Sequence, residues 1–123
     1  MNALQKLEGF TVETVQFEPA PPHTLLIRGT LTMPEPTKNI QPYLERVHEA
    51  VLADGLVEYR VDVKGLTFVN SSAIRLFVDW VVRIEDSGKP YRLVFITDRS
   101  MTWQRTAFKG IAVLGGDCVQ ILS

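Results

Sequence analysis

Asp62-Val63-Lys64-Gly65-Leu66-Thr67-Phe68-Val69-Asn70-Ser71-Ser72-Ala73-Ile74-Arg75-Leu76 is the stretch that decides how this chain folds. Leading into it, Tyr59, Val61 and Val63 alternate with Arg60, Asp62 and Lys64, the two-residue period of a strand whose neighbouring side chains face opposite ways. After Gly65 the period changes, which predicts a turn. From Ala73 the apolar residues Leu76, Phe77, Trp80, Val81 and Ile84 follow at three- and four-residue spacing, the pattern of a helix from Ser72 to about Asp86 with one face on a core. Asn70, Ser71 and Ser72 therefore stand at a helix start, where Asn and Ser oxygens accept the free amides of the first turn and contribute roughly 0.5 to 2 kcal/mol.

Working outward, strands alternate with helices. Phe10 to Phe17 alternates but slips phase between Val12 and Val15, which predicts one first strand with an irregularity, ended by Pro19, Pro21 and Pro22. Thr24 to Arg28 reads as its antiparallel hairpin partner. Ile40, Leu44, Val47 and Val51 mark a helix beginning near Asn39, with Pro42 early in it and Asp54-Gly55 closing it. Ser87-Gly88-Lys89-Pro90 stops the next helix. Tyr91 to Ile96 lacks alternation, as expected of a central strand covered on both faces. Ser100 then caps a short helix presenting Met101, Trp103, Ala107 and Phe108 and ending at Gly110, and Gly115-Gly116 turns the chain into a last strand, Val119 to Leu122. This order predicts an α/β fold with a mixed, mostly parallel sheet and right-handed crossovers.

The run from Asp62 to Arg75 resembles the signature of STAS domains, the bacterial anti-sigma-factor antagonists and their relatives, in which an apolar strand leads into Asp-Ser-Ser-Gly-Leu. The resemblance implies a single STAS-like domain over residues 1–123 with its core from about Thr11, noncatalytic and switched by a partner. In that family the serine before the glycine is phosphorylated by a kinase of the histidine-kinase-like ATPase fold. Position by position, that role falls on Ser72, with Ser71 as the second candidate. Asn70 stands where the family has aspartate, and Ala73 where it has glycine. A runner-up reading follows from those two departures: a permanently bound structural subunit of a transporter or signalling complex, without phosphorylation.

On the helix after Ser72, Arg75, Asp79, Arg83 and Asp86 share a solvent arc, with Asp79 and Arg83 in the favourable acid-before-base order. Ile74, Val78 and Val82 widen the apolar band beyond what a core needs, which marks a partner surface of Asn70, Ser71, Ser72, Ala73, Ile74, Arg75 and Val78. Trp80 belongs to the core. Asn70-Ser71-Ser72 also fits a glycosylation acceptor pattern, but Met1 to Gly9 lacks the apolar core of a secretory signal.

The 123 residues suffice to bury about two thirds of the unfolded surface in one core. Thirteen basic and fourteen acidic residues leave a net charge of −1, without the basic stripe that nucleic acid requires. Cys118, the only cysteine, reads as a small apolar residue entering a strand in a reducing, cytoplasmic setting. No apolar run reaches the roughly 20 residues of a membrane span. His23 and His48 read as surface residues without metal-ligand spacing, and no phosphate-cradling glycine motif is present, so no metal or cofactor is expected. Asp98 and Ser100 read as turn and cap; a small-ligand or nucleotide site would use the loops near Asn70 and Asp98.

Overall fold

The computed structural model describes residues 2–123, and the structural statements that follow refer to these. Six strands, β1 (Phe10–Val12), β2 (Val15–Ala20), β3 (Thr24–Leu31), β4 (Glu58–Val69), β5 (Arg92–Ile96) and β6 (Val119–Leu122), lie side by side in chain order in one sheet. The pairs β1–β2 and β2–β3, joined by short turns, are antiparallel. The other three pairs are parallel, because helices fill their connections and return the chain to the same end of the sheet. These helices are α2 (Pro36–Asn39) with α3 (Gln41–Ala53), then α4 (Ser71–Asp86), then α5 (Thr102–Gly115); a four-residue α1 (Ala3–Lys6) precedes β1. The expected mixed, mostly parallel α/β architecture is the one observed.

The phase slip after Val12 is a turn, not an irregularity within one strand. Val12 pairs directly with Val15, and Glu13 between them takes a φ of 50°. The turn fits because Gly29 on β3 passes under it: a Cβ there would lie 2.0 Å from the Thr14 carbonyl oxygen, and its φ is +101°. That requirement sits on a distant residue. The second strand also runs on to Ala20 through Pro19, a stretch of β2 beyond the reach of β1, where a missing amide is tolerated.

The expected turn at Gly65 is likewise replaced by a bulge inside a strand of twelve residues. Tyr59, Val61 and Val63 are buried, then Lys64 and Gly65 are both exposed, and burial resumes at Leu66. One extra residue in the ladder produces this slip. The register against β3 shifts in the same stretch, and Gly65 lies beside Arg28, whose Cγ would be 2.7 Å from an added Cβ. The strand therefore continues to Val69 and delivers the chain directly to Asn70.

Helices α3, α4 and α5 pack on one face of the sheet. Phe77 of α4, Phe95 of β5 and Phe108 of α5 meet with centroids 4.9 to 5.7 Å apart; Trp80 lies against Tyr59, and Tyr43 of α3 against Phe10 and Phe17. Burying each such side chain contributes about 1.5 to 3 kcal/mol. The opposite face carries Glu18, Arg28, Arg60, Asp62, Arg92 and Gln120. Strand β5 is internal, between β4 and β6, but helices cover only its Leu93 and Phe95; Val94 is buried on the other face between its register partners Arg60 and Gln120. Long polar side chains, not a second helical layer, account for its unbroken apolar run.

Helix α5 begins after Met101 with no side-chain cap, and Ser100 instead donates both its amide and its hydroxyl hydrogen to Asp98 Oδ1. Nor does the helix end at Gly110. Ile111 and Gly115 continue its buried face, and Gly115 is where closeness demands glycine, since a Cβ would meet Val119 at 2.4 Å and Val81 at 2.7 Å. Cys118 is buried immediately before β6, where the chain enters that strand, and burial pushes its thiol up. His48, expected at the surface, is 2% exposed, its Nδ1 2.6 Å from Tyr91 Oη.

Candidate functional site at the start of α4

Strand β4 hands over to α4 at Asn70, which is the helix cap. Its Oδ1 accepts the Ala73 amide at 2.8 Å, its backbone N–H donates to the Leu31 carbonyl at 2.9 Å, and its Nδ2 donates to the Met33 carbonyl at 3.3 Å. An aspartate could perform the first of these bonds but not the last, because a carboxylate has no hydrogen to give Met33. Asn70 thus fastens the helix start to the chain leaving β3.

Ser71 and Ser72 are the first two residues of α4, and both are exposed. Their amides have no partner within the helix, and no acidic side chain occupies the first turn. This end carries the positive pole of a sixteen-residue helix. Ala73 is 1% exposed and gives its methyl group to the core, so it offers no side-chain surface.

Helical spacing separates the two serines. Ser71 is followed at three, seven and eleven residues by Ile74, Val78 and Val82, and so heads the apolar stripe. Ser72 heads the polar row of Arg75, Asp79 and Arg83. Ile74 and Val78 are half-buried and Val82 is 46% exposed, so the stripe is only partly consumed by the interior. Val81, next to it, approaches Gly115, which puts α5 on this side of α4. There Trp103 and Ala107 are half-buried and Leu114 is 65% exposed, extending the apolar surface on a second helix. Phe68, 53% exposed near the end of β4, adds an aromatic close to Asn70. The sequence reading gave Trp103 only as part of the apolar face of α5 and assigned no surface role to it, to Phe68 or to Leu114; the spacing of Trp103 and Leu114 at four and seven residues from Ala107 and Gly110 on that helix was the available signal for those two.

The expected Asp79–Arg83 pair gives way to a bond between helices, Arg83 Nη2 to Glu45 Oε1 of α3 at 3.0 Å. With both groups well exposed it contributes about 0 to 1 kcal/mol.

The second loop named from the sequence follows β5, at the same sheet end as Asn70. The Ser100 hydroxyl and amide both donate to Asp98 and hold its carboxyl below the usual range. Behind this loop stands Gln104, fully buried. Its Nε2 donates to the carbonyls of Val63 and Leu66 at 2.8 and 2.7 Å, while its Oε1 accepts the Asp98 amide at 2.8 Å. One side chain ties the β4 bulge, the β5 loop and α5 together. No cluster of three or more His, Cys, Asp or Glu able to hold a metal occurs among the described residues, and none of the described helices is long and apolar enough to cross a membrane.

The sequence matches no family model and no curated protein. The structure is similar to a chain in the crystal structure of diguanylate cyclase SiaD in complex with its activator SiaC from Pseudomonas aeruginosa, with a TM-score of 0.62 and 18% identity over 92% of this chain and 94% of that one. At that identity the likeness establishes a shared fold along nearly the whole length of both.

Proposed function

We propose that this chain is a noncatalytic, STAS-like regulatory module that binds a protein partner through the start of α4 and is released by phosphorylation there. Ser72 is the position the family resemblance marks; Ser71, at the head of the stripe, is the alternative acceptor. The observation that carries the reading is the conjunction of two exposed hydroxyls, a helix end without acidic residues, and an apolar band that the core leaves half uncovered. The likeness to a complex of an enzyme with its activator supports a partner-binding role for the fold.

Magnitudes locate the effect. A phosphate at the helix end meets unpaired amides and the positive dipole, gaining about 0.3 to 1 kcal/mol, so the fold tolerates it. Pressed between Ile74, Val78 and a partner's apolar surface, the same nearly divalent group loses its hydration at a cost of several kcal/mol unless cations meet it. Binding switches while the fold persists. The writer of the mark would be the partner itself, a serine kinase of the anti-sigma type.

The test is recovery of the chain with its partner from native cells, with intact mass and peptide mapping of both the bound and the free pools. The proposal expects phosphate on Ser72 or Ser71 only in the free pool; equal phosphate in both pools counts against it.

A second reading has its own support in Asn70. Because its side chain is already committed to Ala73 and Met33, the helix start can serve as a fixed docking edge, and the module would then be a constitutive subunit. A partner indifferent to modification favours this version.

A further inference from the structure

Val82 of α4 and Val113 and Leu114 of α5 are 46, 82 and 65% exposed, on the outer side of the helical layer. Between the two helices Ile74, Val78, Trp103 and Ala107 are half-buried and floor a shallow furrow. An apolar patch of this kind, rimmed by polar side chains, is the mark of a surface that another protein covers.

The rim here has a two-fold pattern. Phe77 meets Phe108 and Val81 approaches Gly115, so α4 and α5 run side by side in the same direction, with Trp80 and Ile111 level. Arg75 lies five residues before Trp80 and Glu85 five after it; Arg105 lies six before Ile111 and Asp117 six after it. All four are exposed, and among the described residues none of them forms an ion pair. A two-fold axis crossing both helices at that level turns the face onto itself with the helices antiparallel. It sets Arg75 against Glu85 of the copy and Arg105 against Asp117 of the copy, while Val78, Val82, Val113 and Leu114 gather at the centre. Asp79 leans to the α3 flank with Arg83, and Lys109 to the β6 flank with Arg105, outside that centre. The N-terminal poles of the helices also come to oppose the C-terminal poles. An apolar centre within a rim of opposed charges is the make-up of an isologous interface.

Size sets the strength. Helices of sixteen and fourteen residues are about 21 to 24 Å long and about 10 Å wide each, which gives roughly 400 to 500 Å² per copy. The total of about 800 to 1,000 Å² falls below a standard interface and fits a weak, concentration-dependent dimer.

We propose that the outer face of α4 and α5 pairs with the same face of a second copy of this chain, antiparallel and two-fold symmetric. Where a partner uses the stripe headed by Ser71, as proposed, it binds the single chain. Sedimentation equilibrium of the full chain, from about 1 µM to about 1 mM, is expected to show one chain giving way to two within that range. Val113→Glu, at a side chain outside the core, weakens association at least about tenfold. Arg75→Glu and Glu85→Arg alone each set like charges against one another and weaken it about three- to tenfold. Both swaps suit the helix dipole, so the fold holds. Joined in one chain they restore association, because the charges oppose again; the two residues stand about 15 Å apart on one helix, so no pair within a chain accounts for the recovery. A chain that stays single at the highest concentration overturns the proposal, as does a dimer indifferent to Val113→Glu or a double variant no stronger than the single ones. The experiment needs no partner, so its failure leaves the partner reading standing.

Discussion

Asn70 Oδ1 receives the Ala73 amide at 2.8 Å while its Nδ2 reaches the Met33 carbonyl at 3.3 Å, so one side chain both starts α4 and ties it to the segment after β3. Removing both bonds in Asn70→Ala destabilises the fold by about 1 to 2 kcal/mol. Asn70→Asp keeps the cap and gains from the dipole but sets a carboxylate against a carbonyl, for a net loss of about 1 kcal/mol or less. Urea denaturation followed by circular dichroism checks the order, with Ala below Asp below wild type.

Gln104 serves three separated backbone groups from a fully buried position. In Gln104→Leu the carbonyls of Val63 and Leu66 and the amide of Asp98 lose their partner together. The expected cost is at least about 2 kcal/mol, from the desolvation of buried groups left unpaired. Amide exchange should quicken around Leu66 and Asp98 before it does in α3.

Glycine requirements differ by position, and the differences are measurable. Gly29→Ala combines a positive φ with a 2.0 Å clash against backbone, Gly115→Ala meets two valine side chains at 2.4 and 2.7 Å, and Gly65→Ala meets the stem of Arg28 at 2.7 Å and touches the Ile27 carbonyl at 3.4 Å. Stability should fall most in the first, by about 1 to 3 kcal/mol in the second, and least in the third. Thermal midpoints of the three variants establish the ranking.

Acid sensitivity centres on His48. Trp80 Nε1 donates to Tyr91 Oη at 2.8 Å, which leaves the tyrosine hydrogen for His48 Nδ1. Burial lowers the His48 pKa, opposed by Glu49 and assisted by Arg83. The unfolded chain then binds the proton more readily than the folded one, so this contribution is complete above about pH 6.5 and is lost as the pH falls through the lowered value. A His48→Phe variant should show a shallower loss of stability between pH 7 and about pH 5 in denaturation curves.

Much of this was legible in the chain because it is local. The spacing from Ala73 to Ile84, the Asn70 cap and the Asp54-Gly55 stop are written in neighbouring residues, and α3 and α4 run as they predict. What escaped the reading depends on remote partners. The turn at Glu13 exists because Gly29 passes beneath it, the bulge at Gly65 because Arg28 lies alongside, and the burial of His48 because Tyr91, 43 residues away, donates its hydroxyl hydrogen to it. At the site, the position of the serines followed from the helix start, but which one heads the apolar stripe required the start to be fixed at Ser71 rather than Ser72.

The central claim is that negative charge at the mouth of α4 dissolves a protein contact without harming the fold. With the partner recovered from native cells, its affinity for Ser72→Ala, Ser72→Asp, Ser71→Ala and Ser71→Asp should be compared by titration calorimetry, beside their melting temperatures. At one of the two serines, the aspartate variant is expected to bind at least about tenfold more weakly than its alanine counterpart while melting within a few degrees of it. Equal affinity of aspartate and alanine at both positions would contradict the account.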